Sequence, residues 1–318
     1  MGAYIIRRLA QGLFVLILVS ILLFLIMRLL PGDPLLLYIT QNDIDDLSEA
    51  KLDALRAEFG LDKSMPLQYF DWMGGLFRGD FGKSIVHNDK VGTLLLERFP
   101  VTAHLGILSV ILSIIIGVSL GLISALRRAT WADTLATSLA NFGISVPNFW
   151  LGVLMIYLFG LYLRWLPIQG YTSPFEDFWL STRQLVMPVL CLSVLPLASK
   201  ARQARSSMLE VIRQDYIRTA WAKGLSERRI VLKHVLKNGL IPVITLIGIQ
   251  VSLIFGGSVL IETVFNIPGM GRLLVDAVFA QDFPVVQGVG IIIAMVVVLT
   301  NIAVDISYGW IDPRIRYG

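Results

Sequence analysis

Six stretches of this sequence stay apolar for about the thickness of a bilayer, and that property closes off most folds. The first, Leu9 to Leu30, would cross a ~30 Å hydrocarbon core at ~1.5 Å per residue as an α-helix. The others run from Thr102 to Leu126, Leu135 to Leu163, Leu185 to Ser199, Leu240 to Ile261 and Val285 to Ile306. Lipid offers no partners to backbone N–H and C=O groups, so each segment must satisfy its own, and a helix does so. Only 16% of the residues are charged and 55% are hydrophobic, against about a quarter charged in a soluble domain. The fold expected is all-α, an integral membrane protein with about six transmembrane helices. Pro188 and Pro196 in the fourth run predict a kinked span, since neighbouring helices can re-satisfy freed carbonyls.

Basic residues orient the spans. The net charge of +4 lies beside the apolar runs, where resistance of Lys and Arg to translocation explains it better than a nucleic-acid-binding face does. Arg7 and Arg8 precede the first run, Arg127 and Arg128 follow the second, and Arg314 and Arg316 end the chain. Between Lys200 and Lys237 there are Arg202, Arg205, Arg213, Arg218, Lys223, Arg228, Arg229 and Lys233 against only Glu210, Asp215 and Glu227. An even number of spans with both termini cytoplasmic puts every cluster on one side. Three regions follow: an N-terminal transmembrane helix over 1–31, an extracytoplasmic cap over 32–100, and a five-helix core over 101–318 with a cytoplasmic loop over 200–239. The first run lacks a small-x-small cleavage site and is expected to remain uncleaved. It ends at Pro31-Gly32-Asp33-Pro34. In the cap, Ser48 followed by Leu52, Leu55 and Phe59 and stopped by Gly60 predicts a short amphipathic helix, either a docking site or a solvated lid.

No catalytic centre is legible. Gly82-Lys83-Ser84 ends like a phosphate-binding loop, but Phe77 stands where its first glycine belongs, and Gly288-x-Gly290 lacks the later glycine of a dinucleotide site. His87, His104 and His234 share no ligand spacing, and the single cysteine, Cys191, reads as a core residue. Arg28, Glu262 and Asp305 sit near span ends, where they act either in function or as snorkelling or paired groups. Gly117-x-x-x-Gly121 predicts close helix packing.

Three segments carry the functional expectations. Asn141, Ser145 and Asn148 lie around Val146-Pro147 inside the third run; polar groups and a breaker at that depth either line a pathway or form a kink bonded to other helices. In the connection from Thr263 to Pro284, Phe265, Ile267 and Met270 are too apolar for an idle turn, and Pro268, Gly269 and Gly271 supply breakers. Leu273, Leu274, Ala277 and Val278 then recur at helical spacing. Phe265, Pro268, Gly269 and Met270 are gate candidates, with a plain packed connection as the alternative. In the basic loop, one short helix from Asp215 is closed by Gly224 and another opens at Ser226-Glu227. Ala220 and Gly224 would share a face almost without side chains, ringed by Arg218, Lys223, Arg228 and Arg229. That face either admits another protein or lies on anionic lipid.

At this loop the chain resembles the permease subunits of ABC importers of the oligopeptide, dipeptide and nickel family. Asp215-Tyr216-Ile217-Arg218-Thr219-Ala220, Ala222-Lys223-Gly224-Leu225 and His234-x-Leu236-Lys237-Asn238-x-Leu240-Ile241-Pro242 are similar to the peptide branch. His234 and Lys237 depart from the isoleucine and proline of the general pattern, and Trp221 stands where arginine is expected. Arg7-Arg8-Leu9, Arg205-Ser206-Ser207-Met208-Leu209-Glu210, Glu262-Thr263-Val264-Phe265, Pro268-Gly269-Met270-Gly271-Arg272 and Asp312-Pro313-Arg314-Ile315-Arg316 extend the likeness over nearly the whole chain. The resemblance implies the type I ABC importer transmembrane fold in the plasma membrane of a prokaryote. It implies a homologous second permease, two ABC ATPase subunits that use ATP and Mg, and an extracytoplasmic solute-binding protein. Besides membrane lipid, no cofactor and no nucleic acid are expected on this chain. Arg218, Thr219, Ala220, Lys223, Gly224, Leu225 and Ser226 would form the ATPase-coupling segment. Peptides are the expected cargo, with nickel or another small solute such as glutathione as the alternative. A membrane enzyme would need a convergent catalytic set, and a passive channel would need no seat for an ATPase.

Overall fold

A computed structural model describes residues 2–29 and 62–311, without the side chains at 2, 3, 245, 252, 253, 255–257 and 307–311. The cap helix expected from Ser48 to Gly60, the Pro31–Pro34 turn and the Asp312–Arg316 motif lie outside the described residues.

The elements are α1 (Gly2–Leu29), α2 (Met65–Phe77), α3 (Val91–Leu126), α4 (Trp131–Ser145) and α5 (Asn148–Met155, continued as π-helix over Ile156–Tyr162). They continue with α6 (Phe178–Ile212), α7 (Asp215–Ala222) and α8 (Glu227–Ile230, continued through Val231–Leu236 and Lys237–Gly239). The last three are α9 (Ile241–Val264), α10 (Met270–Phe279) and α11 (Phe283–Ile311). Among the described residues, four helices (α1, α3, α6 and α11) are each long and apolar enough to cross a membrane, and two bent pairs, α4–α5 and α8–α9, bring the number up to six.

Several boundaries differ from the sequence expectation, for physical reasons. The second span starts at Val91 rather than Thr102 and carries Pro100 inside it. The fourth is one helix that begins before Leu185 and continues past Ser199 to Ile212, with Pro188 and Pro196 inside. At ~1.5 Å per residue these helices are about 50 Å long, so they outrun a ~30 Å hydrocarbon core. A charge marks where lipid ends, not where a helix ends, and the first part of the expected 200–239 loop is therefore α6. The third run is broken, with a bend of 100° between α4 and α5. Val146 takes the extended conformation there (φ −94, ψ 122), as the residue before a proline tends to.

The chain forms two compact units. Of the described residues, one comprises 2–29, 62–100 and 269–299. Its core gathers Met27, Val91, Leu95, Met270, Leu273, Val285 and Val289. Gly288 and Gly290 serve packing: a Cβ at Gly288 would sit 2.7 Å from Val91, and one at Gly290 2.9 Å from Leu23. In Gly82-Lys83-Ser84, Gly82 takes φ +82 and Lys83 forms an isolated antiparallel β-bridge with Lys90. Ser84 Oγ donates to the buried Asp282 carboxylate, which also accepts from the Ile85 and Val86 amides, each at 3.2 Å. On α1, Phe14 and Ile6 are 67% and 68% exposed, as suits a helix whose solvent is lipid.

The other unit comprises 101–268 and 300–311 of the described residues. One of its clusters includes Leu105, Leu185, Met187, Cys191, Ile261, Phe265 and Ile267. Gly117 and Gly121 behave as their spacing predicts: added Cβ atoms would fall 2.8 Å from the Leu197 carbonyl and 2.6 Å from the Ala201 carbonyl, so α3 and α6 touch backbone to backbone.

Candidate coupling and pathway site

The coupling candidate is a helical hairpin seated on its own apolar base. Ile217 and Ala220 of α7, Ile230 and Val235 of α8, Ala204 and Met208 of α6, Ala125 of α3 and Val243 of α9 form one buried cluster. The spacing of Ile217 and Ala220 aims one side of α7 inward and leaves Arg218, Thr219, Trp221 and Ala222 outside. The hairpin is tied to α6 by Ser207 Oγ, which donates to the Gly239 carbonyl at 2.7 Å. A Cβ at Gly239 would come 2.7 Å from Met208, so glycine sets how closely α8 lies on α6.

Between α7 and α8 the backbone closes as a helix terminus. Lys223 N donates to Thr219 O at 3.0 Å, Gly224 N to Trp221 O at 2.9 Å, and Leu225 N to Ala220 O at 3.3 Å. Gly224 holds φ +73 with nothing within 4 Å of the position a Cβ would take, so its role is a left-handed cap facing open space. Lys223 and Ser226 are exposed and Leu225 is half-buried. Ala220 is a correction to the sequence reading: it is 6% exposed and packed inward. The open surface is thus centred on Gly224, with Trp221 at 50% exposure where a bare face was expected. The Arg218–Asp215 pair at 3.4 Å is fully at the surface and adds little stability.

The pathway candidates separate. Asn141 and Ser145 are exposed on α4 and Asn148 is half-buried at the start of α5; Ser145 Oγ donates to its own helix at Asn141 O, 3.0 Å. Gly143 is covered, with Val194 2.8 Å from its would-be Cβ. Phe265 is 1% exposed within the cluster that holds Leu105 and Cys191, and its carbonyl accepts from Gly170 N at 3.1 Å. Met270 is 0% exposed within the core of the other unit. Pro268 and Gly269 are the residues at which the chain passes from one unit to the other. Phe265 and Met270 are therefore packed core residues, and the stretch reads as a tightly held connection that starts α10 at Met270. The helix expected from Leu273, Leu274, Ala277 and Val278 is present, although Val278 points outward at 51% exposure.

Two polar clusters escaped the sequence reading. Lys200 is 1% exposed on α6; its Nζ donates to Ser113 Oγ at 3.1 Å on α3 and to Gln250 Oε1 on α9. Asp133 at the start of α4 accepts from both Arg205 Nε and Nη2 at 2.9 Å, from the Ala129 amide at 3.0 Å and from Ser124 Oγ. A bidentate pair of this kind is geometrically specific, and it fixes the α3–α4 turn to α6. Lys200 and Arg205 looked like loop charges because the helix outruns the apolar run that announced it. Glu262, expected near an interface, is fully buried and accepts from Thr102 Oγ1 at 2.7 Å.

Comparison with known proteins agrees with this architecture. Residues 117–317 match the family model described as binding-protein-dependent transport system inner membrane component, and residues 1–106 match the model for the N-terminal part of such components. The chain is 43% identical to a putative peptide transport system permease protein of Brucella abortus, with 100% of each chain covered. It is 42% identical to a probable peptide ABC transporter permease protein of Sinorhizobium fredii and 38% identical to the oligopeptide transport system permease protein AppB of Bacillus subtilis, again over 100% of each. Its fold is similar to a chain of the inward-facing MetNI methionine ABC transporter, with a TM-score of 0.54 and 18% identity, covering 69% of this chain and 96% of that one. The chain belongs to the family of binding-protein-dependent transport system inner membrane components, with the transmembrane fold of a type I ABC importer.

Proposed function

We propose that this chain is one of two membrane subunits of an ATP-driven importer that carries peptides inward. The observation that carries the reading is the α7–α8 hairpin. It has a packed apolar base, an open left-handed glycine at its tip and exposed Arg218, Lys223, Arg228 and Arg229 around it. Such a hairpin, held rigid on its base and open at Gly224, suits a groove on an ATPase subunit, and ATP-driven closure of two such subunits would move the hairpins and, through the α6 contact, the bundle. ATP and Mg belong to those partners, and an extracytoplasmic binding protein delivers cargo. Peptide cargo is supported by the names of the full-length relatives, none of which mentions nickel or glutathione. Both termini and the hairpin are cytoplasmic in this reading, because the basic clusters then share one side. Co-purification through a tag on this chain tests it: an ATPase and a second permease are expected in the complex, and loss of the ATPase alone on changing Gly224→Trp would locate the seat. A complex that keeps its ATPase and its uptake in that variant would reject the docking role.

A further inference from the structure

At the end of the bundle that carries the basic segment, α3, α4 and α6 enclose a cavity of about 490 Å³. Arg128, Arg202, Arg205 and Arg213 line it, with Glu210 as the one carboxylate in its wall. Arg205 is already neutralised by the two-pronged pair with Asp133. The guanidinium groups of Arg128, Arg202 and Arg213 make no hydrogen bond or ion pair with the described residues, so the rim carries more positive charge than Glu210 offsets. The inner wall is of another kind. Gly121, Ala136, Ala140 and Ala201 give it a small apolar part, beside the uncharged polar groups of Ser124, Thr137 and Asn141, and Gly121 cannot accept a side chain without striking Ala201 and Ala204.

We propose that this cavity holds the head group of an anionic phospholipid. A charged rim above an uncharged, partly apolar wall, where spanning helices leave the hydrocarbon, matches a phosphodiester on a glycerol whose hydroxyl or ester groups meet the polar side chains and whose acyl chains remain in the bilayer. Basic pockets between transmembrane helices on the cytoplasmic side suit such head groups, and arginine forks suit phosphate oxygens. A soluble phosphate would use the rim and leave the apolar part of the wall without purpose. The bound lipid ties α3, α4 and α6 together beside the hairpin, so the transporter would work better in anionic than in zwitterionic membranes.

The test uses the full chain purified in mild detergent from membranes containing phosphatidylglycerol and phosphatidylethanolamine, with retained lipid measured by mass spectrometry. Arg202→Gln combined with Arg213→Gln is expected to lower retained phosphatidylglycerol about tenfold and leave phosphatidylethanolamine unchanged, while the Lys pair at both positions restores most of it. Arg128→Gln, in the α3–α4 turn rather than on α6, gives an independent reading of the same loss should the double variant fail to assemble. Unchanged retention in these variants overturns the proposal. So does protection of the delipidated protein against thermal unfolding by inorganic phosphate equal to that by phosphatidylglycerol vesicles, which would assign the site to a soluble anion. A crosslink in native membranes from Arg202→Cys to another permease subunit would give the cavity to a protein neighbour and likewise reject the lipid.

Discussion

Gly224 combines two demands that substitutions can separate. Its φ of +73 disfavours side chains, while the space where a Cβ would point is open, so alanine there costs about 1 kcal/mol from the backbone and nothing from crowding. Asparagine tolerates the left-handed region. Uptake by Gly224→Asn is therefore expected to stay within a few-fold of wild type, while Gly224→Trp inserts normally and abolishes it. Equal loss in both would mean the turn, not its open surface, is what matters. Cys191, buried among apolar neighbours, gives a much smaller effect as Cys191→Ser. Lys200 poses a different question, since its stem fills space between three helices and its ammonium meets Ser113 and Gln250. Lys200→Ala should lower stability by about 2–4 kcal/mol through the void, and Lys200→Met should recover most of that by refilling it. Thermal unfolding in detergent distinguishes them, and equal destabilisation would show that the charge itself is required. Gly224 was legible as punctuation between two short helical patterns, whereas Lys200 was not, because a lone lysine after an apolar run looks like a span's end.

Among the elements, the α4–α5 break follows from Val146-Pro147. Proline removes a donor and pushes the preceding residue to extended backbone, and Leu151 N already takes Pro147 O at 3.0 Å to start the next helix. Pro147→Leu is expected to let α4 run into α5, lengthening the distance between spin labels at Thr134 and Tyr157 and reducing uptake with insertion intact. An unchanged distance would place the cause of the bend in tertiary packing. In the Thr263–Pro284 connection the apolar residues have a packing role. Phe265, Ile267 and Met270 do look too apolar for solvent, and the reason is that each is buried. Deleting Asn266 to Gly271 would strip Ile267 and Met270 from their cores and is expected to impair folding rather than cargo release alone. The exposed Asn266, with φ +52, is the better probe, and Asn266→Gly should be neutral for stability. Helix existence was legible from apolar run length; helix extent was not, because α3 and α6 continue past the apolar runs on sequence interrupted by charged residues such as Glu97, Arg98 and Lys200.

For the molecule as a whole, charge asymmetry predicts the arrangement across the membrane. A cysteine at Asp45 should react with an impermeant thiol reagent from outside and one at Glu227 should not; the reverse pattern would invert the topology. The family and the importer fold were readable because the motif residues around Gly224 lie on a local hairpin, where sequence spacing and spatial neighbourhood coincide. The Asp133–Arg205 and Lys200–Gln250 clusters join residues far apart in the chain and had no such signal. The central claim is that this permease moves peptides only when driven by ATP through the hairpin. The direct measurement is accumulation of a labelled oligopeptide in proteoliposomes containing the full transporter, its binding protein and ATP on the hairpin side. Accumulation that requires ATP and the binding protein and vanishes in Gly224→Trp is the predicted result; peptide flux that persists without ATP, or in that variant, would contradict it.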